Sequence, residues 1–191
     1  MAYSHRLISV SRRPDDQSLD LDETEPVVMP ESPQATPGPR EVLTRFQRAA
    51  IDKATDDFAD LYAVDAIHEF PFTRPGVPSH LQGREQIRAF AQANWDASPL
   101  QYEEYRNVVV HQTADPEVLV VEQEAAGTVT TTGRPFTLPN IIVLKVHDGQ
   151  IVHLRDYVNV LAVAEATDRL PALLASITGQ RPAAVPPDAP S

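Results

Sequence analysis

One acidic residue near the end of the chain stands where apolar side chains are expected. Asp156 lies in the segment HLRDYVN, the last of several runs of alternating apolar residues. Because successive side chains of a β-strand point to opposite faces, Leu154, Asp156 and Val158 share one face of the predicted strand. A carboxyl group among apolar neighbours suits general acid or base catalysis. The alternative is structural: the carboxylate accepts a hydrogen bond from a neighbouring side chain or caps the following helix.

A histidine on an earlier strand is the second residue that could handle protons. The segment VDAIHEF predicts a short strand that ends at Pro71 and places His68 on the same face as Phe70. An imidazole there could carry a proton or form a hydrogen bond with a ligand. A lone histidine on an apolar strand is more often simply packed, and this alternative stays open.

The chain lacks the motifs of most cofactor and metal enzymes. It has no cysteine, no glycine-rich phosphate loop and no GxSxG or HExxH motif, and its six histidines are scattered without the spacing of metal ligands. We therefore expect no cofactor and no metal, so that side chains alone would carry out any reaction. The absence of cysteine also fits a reducing cytoplasm.

The charge of the chain argues against two classes of partner. Acidic residues outnumber basic residues 27 to 16, which gives a net charge of −11. Such a surface repels phosphate backbones and anionic lipids, so we expect neither nucleic acid nor a membrane as a partner. The apolar runs are also shorter than a membrane-spanning helix, and no apolar stretch follows the N-terminal arginines as a secretory signal requires. We therefore predict a cytoplasmic protein.

Proline-rich composition separates three parts of the chain. Residues 1–39 are acidic and rich in proline, and residues 178–191 are rich in proline and alanine. Neither segment holds enough apolar residues to offset the entropy cost of ordering, so both are predicted to be disordered. Residues 40–177 form the predicted folded domain.

Helical and strand patterns follow one another in a definite order along this domain. Apolar residues at helical spacing occur in EVLTRFQRAAI and REQIRAFAQANW, and Thr55 is predicted to cap a short helix between them. Four alternating strands follow, and the HDG turn predicts a hairpin between the last two. A final helix is predicted to begin after Asn159 and to be interrupted by Pro171. This order predicts an α+β domain with helices packed on one face of a curved antiparallel sheet.

Three segments of the domain carry a family resemblance. They are VLTRFQRAAIDKATDDFADLYAVDAIHEF, GREQIRAF and VLKVHDGQIVHLRDYVN, and they resemble the nuclear transport factor 2-like superfamily over about residues 40–165. Within it the chain is most similar to SnoaL-like polyketide cyclases, with limonene epoxide hydrolases and ketosteroid isomerases as cousins. The resemblance implies a cone-shaped sheet around an apolar pocket, closed by helices. It also implies a homodimer formed through the outer face of the sheet.

The positions that catalyse in ketosteroid isomerases are apolar in this chain. By the resemblance, the aspartate base corresponds to Phe70, the tyrosine donor to Phe46 and the second acid to about Ile142. Steroid isomerisation by that mechanism is therefore not expected. The same replacements predict an apolar pocket.

An epoxide hydrolase remains an alternative. In limonene epoxide hydrolases the aspartate of an RDY motif is one of two acids, and it corresponds to Asp156 in RDYVN. Their partner arginine and aspartate fall at about Gln123 and Ala125, so the second acid is missing. Glu122 and Glu124 lie nearby, but strand alternation places them on the opposite face unless a bulge shifts the register.

The resemblance to SnoaL-like cyclases implies a cofactor-independent enzyme. Those cyclases use an aspartate of the last strand as their acid/base, and Asp156 is its counterpart. In an apolar pocket, burial would raise the pKa of this carboxyl towards neutrality, which suits proton transfer. We predict a cyclase or isomerase that acts on an apolar, polyketide-like carbonyl substrate, with Asp156 and His68 as catalytic residues. The predicted substrate-binding residues are Phe46, Phe70, Phe72, Trp95, Gln123, Ile142, Leu154 and Val158.

A protein without catalytic activity is the second prediction. The same pocket could hold a small apolar ligand without turnover, or the domain could serve as a dimeric scaffold whose terminal arms bind other proteins. The small number of polar residues predicted for the pocket and the long N-terminal arm favour this alternative.

Overall fold

The computed structural model describes residues 36–73 and 76–179. Nearly all of the two segments predicted to be disordered, 1–39 and 178–191, therefore lies outside the described residues. The described helices are α1 (Pro39–Asp52), α2 (Thr55–Asp60), α3 (Arg84–Ala97), α4 (Val160–Ala166) and α5 (Leu170–Gly179). The described strands are β1 (Tyr62–Glu69), β2 (His80–Gln82), β3 (Leu100–Gln112), β4 (Val118–Val129), β5 (Pro135–His147) and β6 (Gln150–Tyr157).

The six strands form a single curved sheet in the order β2-β1-β6-β5-β4-β3. The α+β class with helices on a curved sheet is confirmed. Four of the five strand pairings are antiparallel, but β1 and β6 run parallel, with His68 opposite Leu154 and Glu69 opposite Arg155. A parallel pair requires a crossover connection, and all the chain between β1 and β6 supplies it here. The short strand β2 is not among the elements predicted from the sequence.

The apolar faces of the helices cover one side of this sheet. The side chains that α1 buries are those at the predicted helical spacing, namely Val42, Leu43, Phe46, Ala49 and Ala50. The rings of Phe46 and Trp95 lie 5.0 and 5.1 Å from the ring of Phe58, which joins α1, α2 and α3. Burying each large apolar side chain contributes about 1.5–3 kcal/mol. This core fixes the helices over the inner face of the sheet, where the cavity lies.

One of the two predicted helix caps is present. The side chain of Asn159 accepts a hydrogen bond of 3.1 Å from the backbone N–H of Ala162 and caps α4, as predicted. The prediction for Thr55 was wrong, because Ala54 occupies the cap position and Thr55 is the first helical residue. The hydroxyl of Thr55 instead donates to Oε1 of Gln92 over 2.8 Å and links α2 to α3.

The break between the last two helices does not lie at Pro171. Pro171 occupies the first turn of α5, where a missing backbone N–H leaves no helical hydrogen bond unmade. The break falls at residues 167–169, and Asp168 there adopts a left-handed backbone conformation with φ of 56°. The prediction of a proline interruption was therefore wrong by a few residues.

Two register shifts bend strand β3. They lie between Tyr102 and Glu104 and between Arg106 and Val109, against a regular β4. Strict alternation would place Tyr102 and Tyr105 on opposite faces of the sheet. The first shift removes that constraint, because a β-bulge inserts an extra residue, and both tyrosines line the same cavity.

Candidate functional site

A cavity of about 250 Å³ lies between the inner face of the sheet and the helices. Asp156 and His68 both line it, on neighbouring strands. The residues predicted to bind substrate that also line it are Phe46, Phe70, Phe72, Trp95, Gln123 and Val158. The wall is mainly aromatic and aliphatic, and its polar side chains include those of Tyr102, Tyr105 and Asn140.

Two of the predicted binding residues lie outside the cavity wall. Ile142 and Leu154 are fully buried in the main hydrophobic core cluster, and neither lines the cavity. They share the inward face of the sheet with Asp156 but pack beneath the helices. Phe72, in contrast, lines the cavity but is largely exposed. The exposed fraction of the residue is 62%, and its ring lies 5.5 Å from the ring of Tyr157. Phe72 therefore stands at the rim of the cavity.

The carboxyl group of Asp156 lies on β6 and faces the cavity. In the sheet its neighbour on β5 is Ile142, and Nδ2 of Asn140 donates a hydrogen bond of 3.0 Å to Oδ1 of the carboxyl. Burial raises the pKa of Asp156 to about 6, and the hydrogen bond from Asn140 opposes this rise. A carboxyl with such a pKa exchanges protons readily near neutral pH.

Three tyrosines surround this carboxyl. Burial raises the pKa of Tyr62, Tyr102 and Tyr105, and the negative charge of Asp156 raises each of them further. For Tyr102 the pKa is raised to about 12. All three phenols therefore keep their protons at neutral pH and can serve only as neutral hydrogen-bonding groups.

The imidazole of His68 is buried, with only 6% of the residue exposed. Its Nδ1 lies 3.1 Å from the hydroxyl of Tyr62, and its ring packs between the rings of Tyr62 and Phe70 at 5.9 and 4.6 Å. Burial first, and then the charge of His153, lower the pKa of His68 to about 3. Among the described residues Nε2 has no hydrogen-bond partner. The ring is therefore neutral, and its Nε2 is buried without a partner among the described residues.

The parallel pairing of β1 with β6 sets the distance between these two groups. His68 lies opposite Leu154, and Asp156 is two residues further along the same face. The spacing of strands and residues in a sheet places the two Cα atoms roughly 8 Å apart. On the outer face, Nε of Arg155 donates to the carboxylate of Glu69 over 2.8 Å, which holds the same register. The cavity thus separates an acid from an imidazole without direct contact between them.

Gln123 is a buried polar residue on β4 with an identified partner. Its Oε1 accepts a hydrogen bond of 2.8 Å from Nε2 of Gln47 on α1, and only 4% of the residue is exposed. This bond ties helix α1 to the sheet at the cavity wall. Its structural role is sufficient to explain why an amide is buried there.

The two glutamates beside Gln123 lie on the outer face of the sheet. Glu122 contacts Nε2 of His111 at 2.8 Å, and Glu124 contacts Nε of Arg106 at 3.3 Å. Strand alternation predicts this placement. Of the described residues that line the cavity, Asp156 is the only one with a carboxyl group. The second acid that an epoxide hydrolase requires is therefore not supplied by Glu122 or Glu124.

Neither a metal cluster nor a membrane-spanning helix occurs in the described part of the chain. Within residues 36–73 and 76–179, no group of three or more His, Cys, Asp or Glu side chains is placed to hold a metal ion. No helix within the same ranges is long and apolar enough to cross a membrane.

Asn140 and Tyr105 line the cavity but are not among the residues predicted from the sequence. Asn140 stands two positions before Ile142, so alternation alone places its amide on the inward face beside Asp156. The alternation in PNIIVL carries this signal. Tyr105 had no such signal, because it reaches the cavity only through the register shift in β3.

Known proteins similar to this chain share its fold. A protein of Bacillus subtilis named YesE, itself uncharacterised, is 29% identical over 126 residues, which cover 66% of this chain and 84% of that protein. A crystal structure from Bacillus subtilis, provisionally named as an isomerase, superposes with a TM-score of 0.63 at 27% identity and covers 69% of this chain and 93% of that one. A provisionally named polyketide cyclase of Pseudomonas putida superposes with a TM-score of 0.54 at 20% identity, covering 69% of this chain and 98% of the other.

The family itself is shown by the sequence match. The model of the SnoaL-like domain matches residues 43–154, a stretch that spans β1 to β5 and most of β6 and holds His68, Asn140 and the three tyrosines near Asp156. Asp156 lies just beyond the matched range, on the same strand β6. The chain therefore belongs to the SnoaL-like domain family.

Proposed function

We propose that this protein is a cofactor-independent cyclase or isomerase that moves a proton on a small, apolar, polyketide-like carbonyl compound. The observation that carries the proposal is Asp156, a buried carboxyl with a pKa raised to about 6 in a cavity whose wall is mainly apolar. Perturbed acids in such cavities are preferred sites of proton transfer. The SnoaL-like family and its isomerase and cyclase neighbours support the same reaction class.

The ionised carboxylate of Asp156 acts as the base. It removes a proton from the carbon next to the carbonyl; the electron pair of that C–H bond forms a C=C bond, and the π pair of the carbonyl moves to its oxygen to give an enolate. In an isomerisation, protonated Asp156 returns the proton at a different carbon. In a cyclisation, the enolate carbon attacks a second electrophilic carbon of the same molecule, and Asp156 gives its proton to the oxygen that becomes negative. In both cases Asp156 returns the proton that it removed, so the reaction needs no cofactor.

The cavity favours a folded substrate of modest size. Its volume of about 250 Å³ is below the range of about 300–1,000 Å³ that is usual for pockets holding drug-sized ligands. Close aromatic walls, formed by residues such as Phe46, Phe70 and Trp95, hold two reactive ends of a chain together. Orientation of this kind lowers the barrier to ring closure.

A binding protein without turnover is the second candidate. The observation in its favour is His68, whose pKa of about 3 keeps it neutral, so that it cannot act as a proton carrier near pH 7. Among the described residues that line the cavity, Asp156 is then the one group that can exchange a proton at that pH. If Asp156 does not transfer a proton either, the cavity binds its ligand without turnover.

We also propose a homodimer formed through the outer face of the sheet. Val109 and Ile141 are 50% and 42% exposed, and Val109 pairs with Glu122 on the outer side. Exposed apolar side chains on one face of a sheet are typical of an interface.

The cysteine-free sequence supports a cytoplasmic location, and the proposed substrate class supports a place in secondary metabolism.

Deuterium incorporation tests the proposed reaction without knowledge of the product. Small ketones and 1,3-diketones are incubated with the protein in D₂O, and loss of the α-proton signal is followed by NMR. We expect the wild-type protein to accelerate exchange and Asp156→Asn to lose the acceleration. Equal exchange by both proteins, above the rate in buffer, would remove Asp156 as the base.

A further inference from the structure

We infer that Tyr62 is a positioning residue that fixes His68 as the tautomer protonated on Nε2, so that the cavity offers a hydrogen-bond donor to an oxygen atom of its ligand. The side chains of Tyr62 and His68 form a buried pair. Tyr62 is fully buried, its hydroxyl lies 3.1 Å from Nδ1 of His68, and the two rings are stacked at an interplanar angle of 15°.

The direction of this hydrogen bond follows from what the phenol can do with its proton. Burial and the charge of Asp156 raise the pKa of Tyr62 well above its ordinary value, so the hydroxyl stays protonated. Among the described residues, Nδ1 of His68 is its one hydrogen-bond partner. If Nδ1 carried a hydrogen and donated it, the phenol proton would be buried without an acceptor, which costs about 1–3 kcal/mol. The phenol therefore donates to Nδ1.

The neutral ring then carries its single hydrogen on Nε2. An imidazole whose pKa lies at about 3 holds one proton at physiological pH, and Nδ1 is occupied as an acceptor. Nε2 is buried, has no partner among the described residues and belongs to a residue that lines the cavity. A buried N–H without an acceptor is unfavourable, so a ligand that brings an acceptor to this point gains affinity.

This arrangement selects the chemical class of the ligand. A neutral N–H donor favours a carbonyl, enolate or hydroxyl oxygen, and it offers nothing to an ammonium group or to a pure hydrocarbon. His68 on β1 and Asp156 on β6 face the same cavity at a Cα separation of roughly 8 Å. A ligand between them can place its oxygen at Nε2 and its acidic C–H at the carboxylate. This last step rests on the proposed function, whereas the tautomer of His68 does not.

The tautomer is measured directly by NMR on ¹⁵N-labelled protein. Two-bond ¹H–¹⁵N correlation spectra distinguish a protonated ring nitrogen from an unprotonated one. We expect His68 of the wild-type protein to be wholly Nε2-protonated between pH 6 and pH 8. We expect Tyr62→Phe to show a mixture of tautomers, because Nδ1 loses its donor, and Asp156→Asn to leave the tautomer unchanged. An Nδ1-protonated ring in the wild-type protein, or an unchanged ring in Tyr62→Phe, would overturn the inference.

The preference for an oxygen acceptor is tested with two probes of equal shape. Cyclohexanone and methylenecyclohexane differ by the replacement of the carbonyl oxygen with a CH₂ group, and both are titrated while ring protons of the cavity are observed. A net hydrogen bond contributes about 1 kcal/mol, so we expect cyclohexanone to bind roughly five- to tenfold more tightly. Tyr62→Phe should reduce this ratio and His68→Phe should abolish it. A ratio of one in the wild-type protein, or failure of both probes to bind, would overturn the assigned ligand class.

The two proposals fail in different ways. Asp156→Asn is expected to keep the preference for cyclohexanone while it loses deuterium exchange. If exchange is absent in the wild-type protein but the preference is present, the proposed reaction fails and the donor role of His68 stands. If exchange depends on Asp156 but the two probes bind equally, the reaction stands and the role of Tyr62 and His68 fails.

Discussion

Nδ2 of Asn140 donates a hydrogen bond of 3.0 Å to Oδ1 of Asp156, across the neighbouring strands β5 and β6. This bond stabilises the ionised form of a carboxyl that burial would otherwise keep protonated. The two effects together hold the pKa of Asp156 at about 6, where the carboxylate is ionised at pH 7 and is still basic enough to take a proton.

Replacement of Asn140 by leucine should shift this balance. Leucine has a similar size but cannot donate a hydrogen bond, so we expect the pKa of Asp156 to rise and the pH profile of deuterium exchange to move to higher pH. The exchange rate at pH 6 should fall more than the rate at pH 8. An unshifted profile in Asn140→Leu would show that the amide does not act on the carboxyl; Gln47→Leu, which removes a hydrogen bond elsewhere on the wall, is the matched control.

Asp156 should also make the stability of the protein depend on pH. Burial raises its pKa from 3.8 to about 6, so the folded protein binds this proton more tightly than the unfolded chain does. The free energy of unfolding therefore falls as pH rises from about 4 to about 6 and stays lower above that range. A shift of roughly two pKa units corresponds to about 3 kcal/mol.

Asp156→Asn removes this loss of stability, because the amide carries no charge and can still accept the hydrogen bond from Asn140. We expect the variant and the wild-type protein to unfold at similar urea concentrations at pH 3.5, and the variant to be more stable by up to about 3 kcal/mol at pH 7.5. The lowered pKa of His68 acts in the opposite direction, adding stability as pH rises from about 3 to about 6.5. That contribution is common to both proteins and cancels in their difference. A stability difference that does not vary with pH would contradict the raised pKa of Asp156.

The outer glutamates should not contribute to the reaction. Glu122 and Glu124 interact with His111 and Arg106 on the face of the sheet that points away from the cavity. We expect Glu122→Gln and Glu124→Gln to retain the deuterium exchange rate of the wild-type protein. A large loss of rate in either variant would place a second acid at the reacting atoms and would restore the epoxide hydrolase interpretation.

The proposed dimer can be tested on the same face. Ile141→Glu and Val109→Glu place charges among the apolar side chains of the outer face, where 42% and 50% of each residue is exposed. We expect both variants to sediment as monomers under conditions in which the wild-type protein sediments as a dimer. Leu174→Glu, which changes an equally exposed apolar residue on α5, should leave the dimer intact. A monomeric wild-type protein would contradict the proposed interface.

Local sequence patterns were sufficient to predict part of this site. The alternation in HLRDYVN placed Leu154, Asp156 and Val158 on one face, and the family resemblance implied that Asp156 and Phe46 face the pocket, which both of them line. Asn140 was predictable by the same alternation. The position of Tyr105 was not, because a bulge in β3 changes the face without leaving a signal in the sequence.

The relation of His68 to Asp156 depends on contacts between distant parts of the chain. It arises from the parallel pairing of β1 with β6, two strands that local patterns alone would have placed in an antiparallel sheet. The stacking of Tyr62 on His68, by contrast, is a contact within β1, across the register shift that lies between Tyr62 and Ile67. Periodicity predicts which face a residue occupies, but it contains no information on which distant strand lies beside it.

The pH dependence of deuterium exchange tests directly whether Asp156 is a base with a pKa near neutrality. For wild-type protein and a reactive small ketone, we predict that the rate rises with pH through an inflection at about 6 and then levels off. Asp156→Asn should show only the buffer rate at every pH while it remains folded. An inflection near pH 4, or a profile that Asp156→Asn reproduces, would contradict the role of Asp156 as a base with a raised pKa.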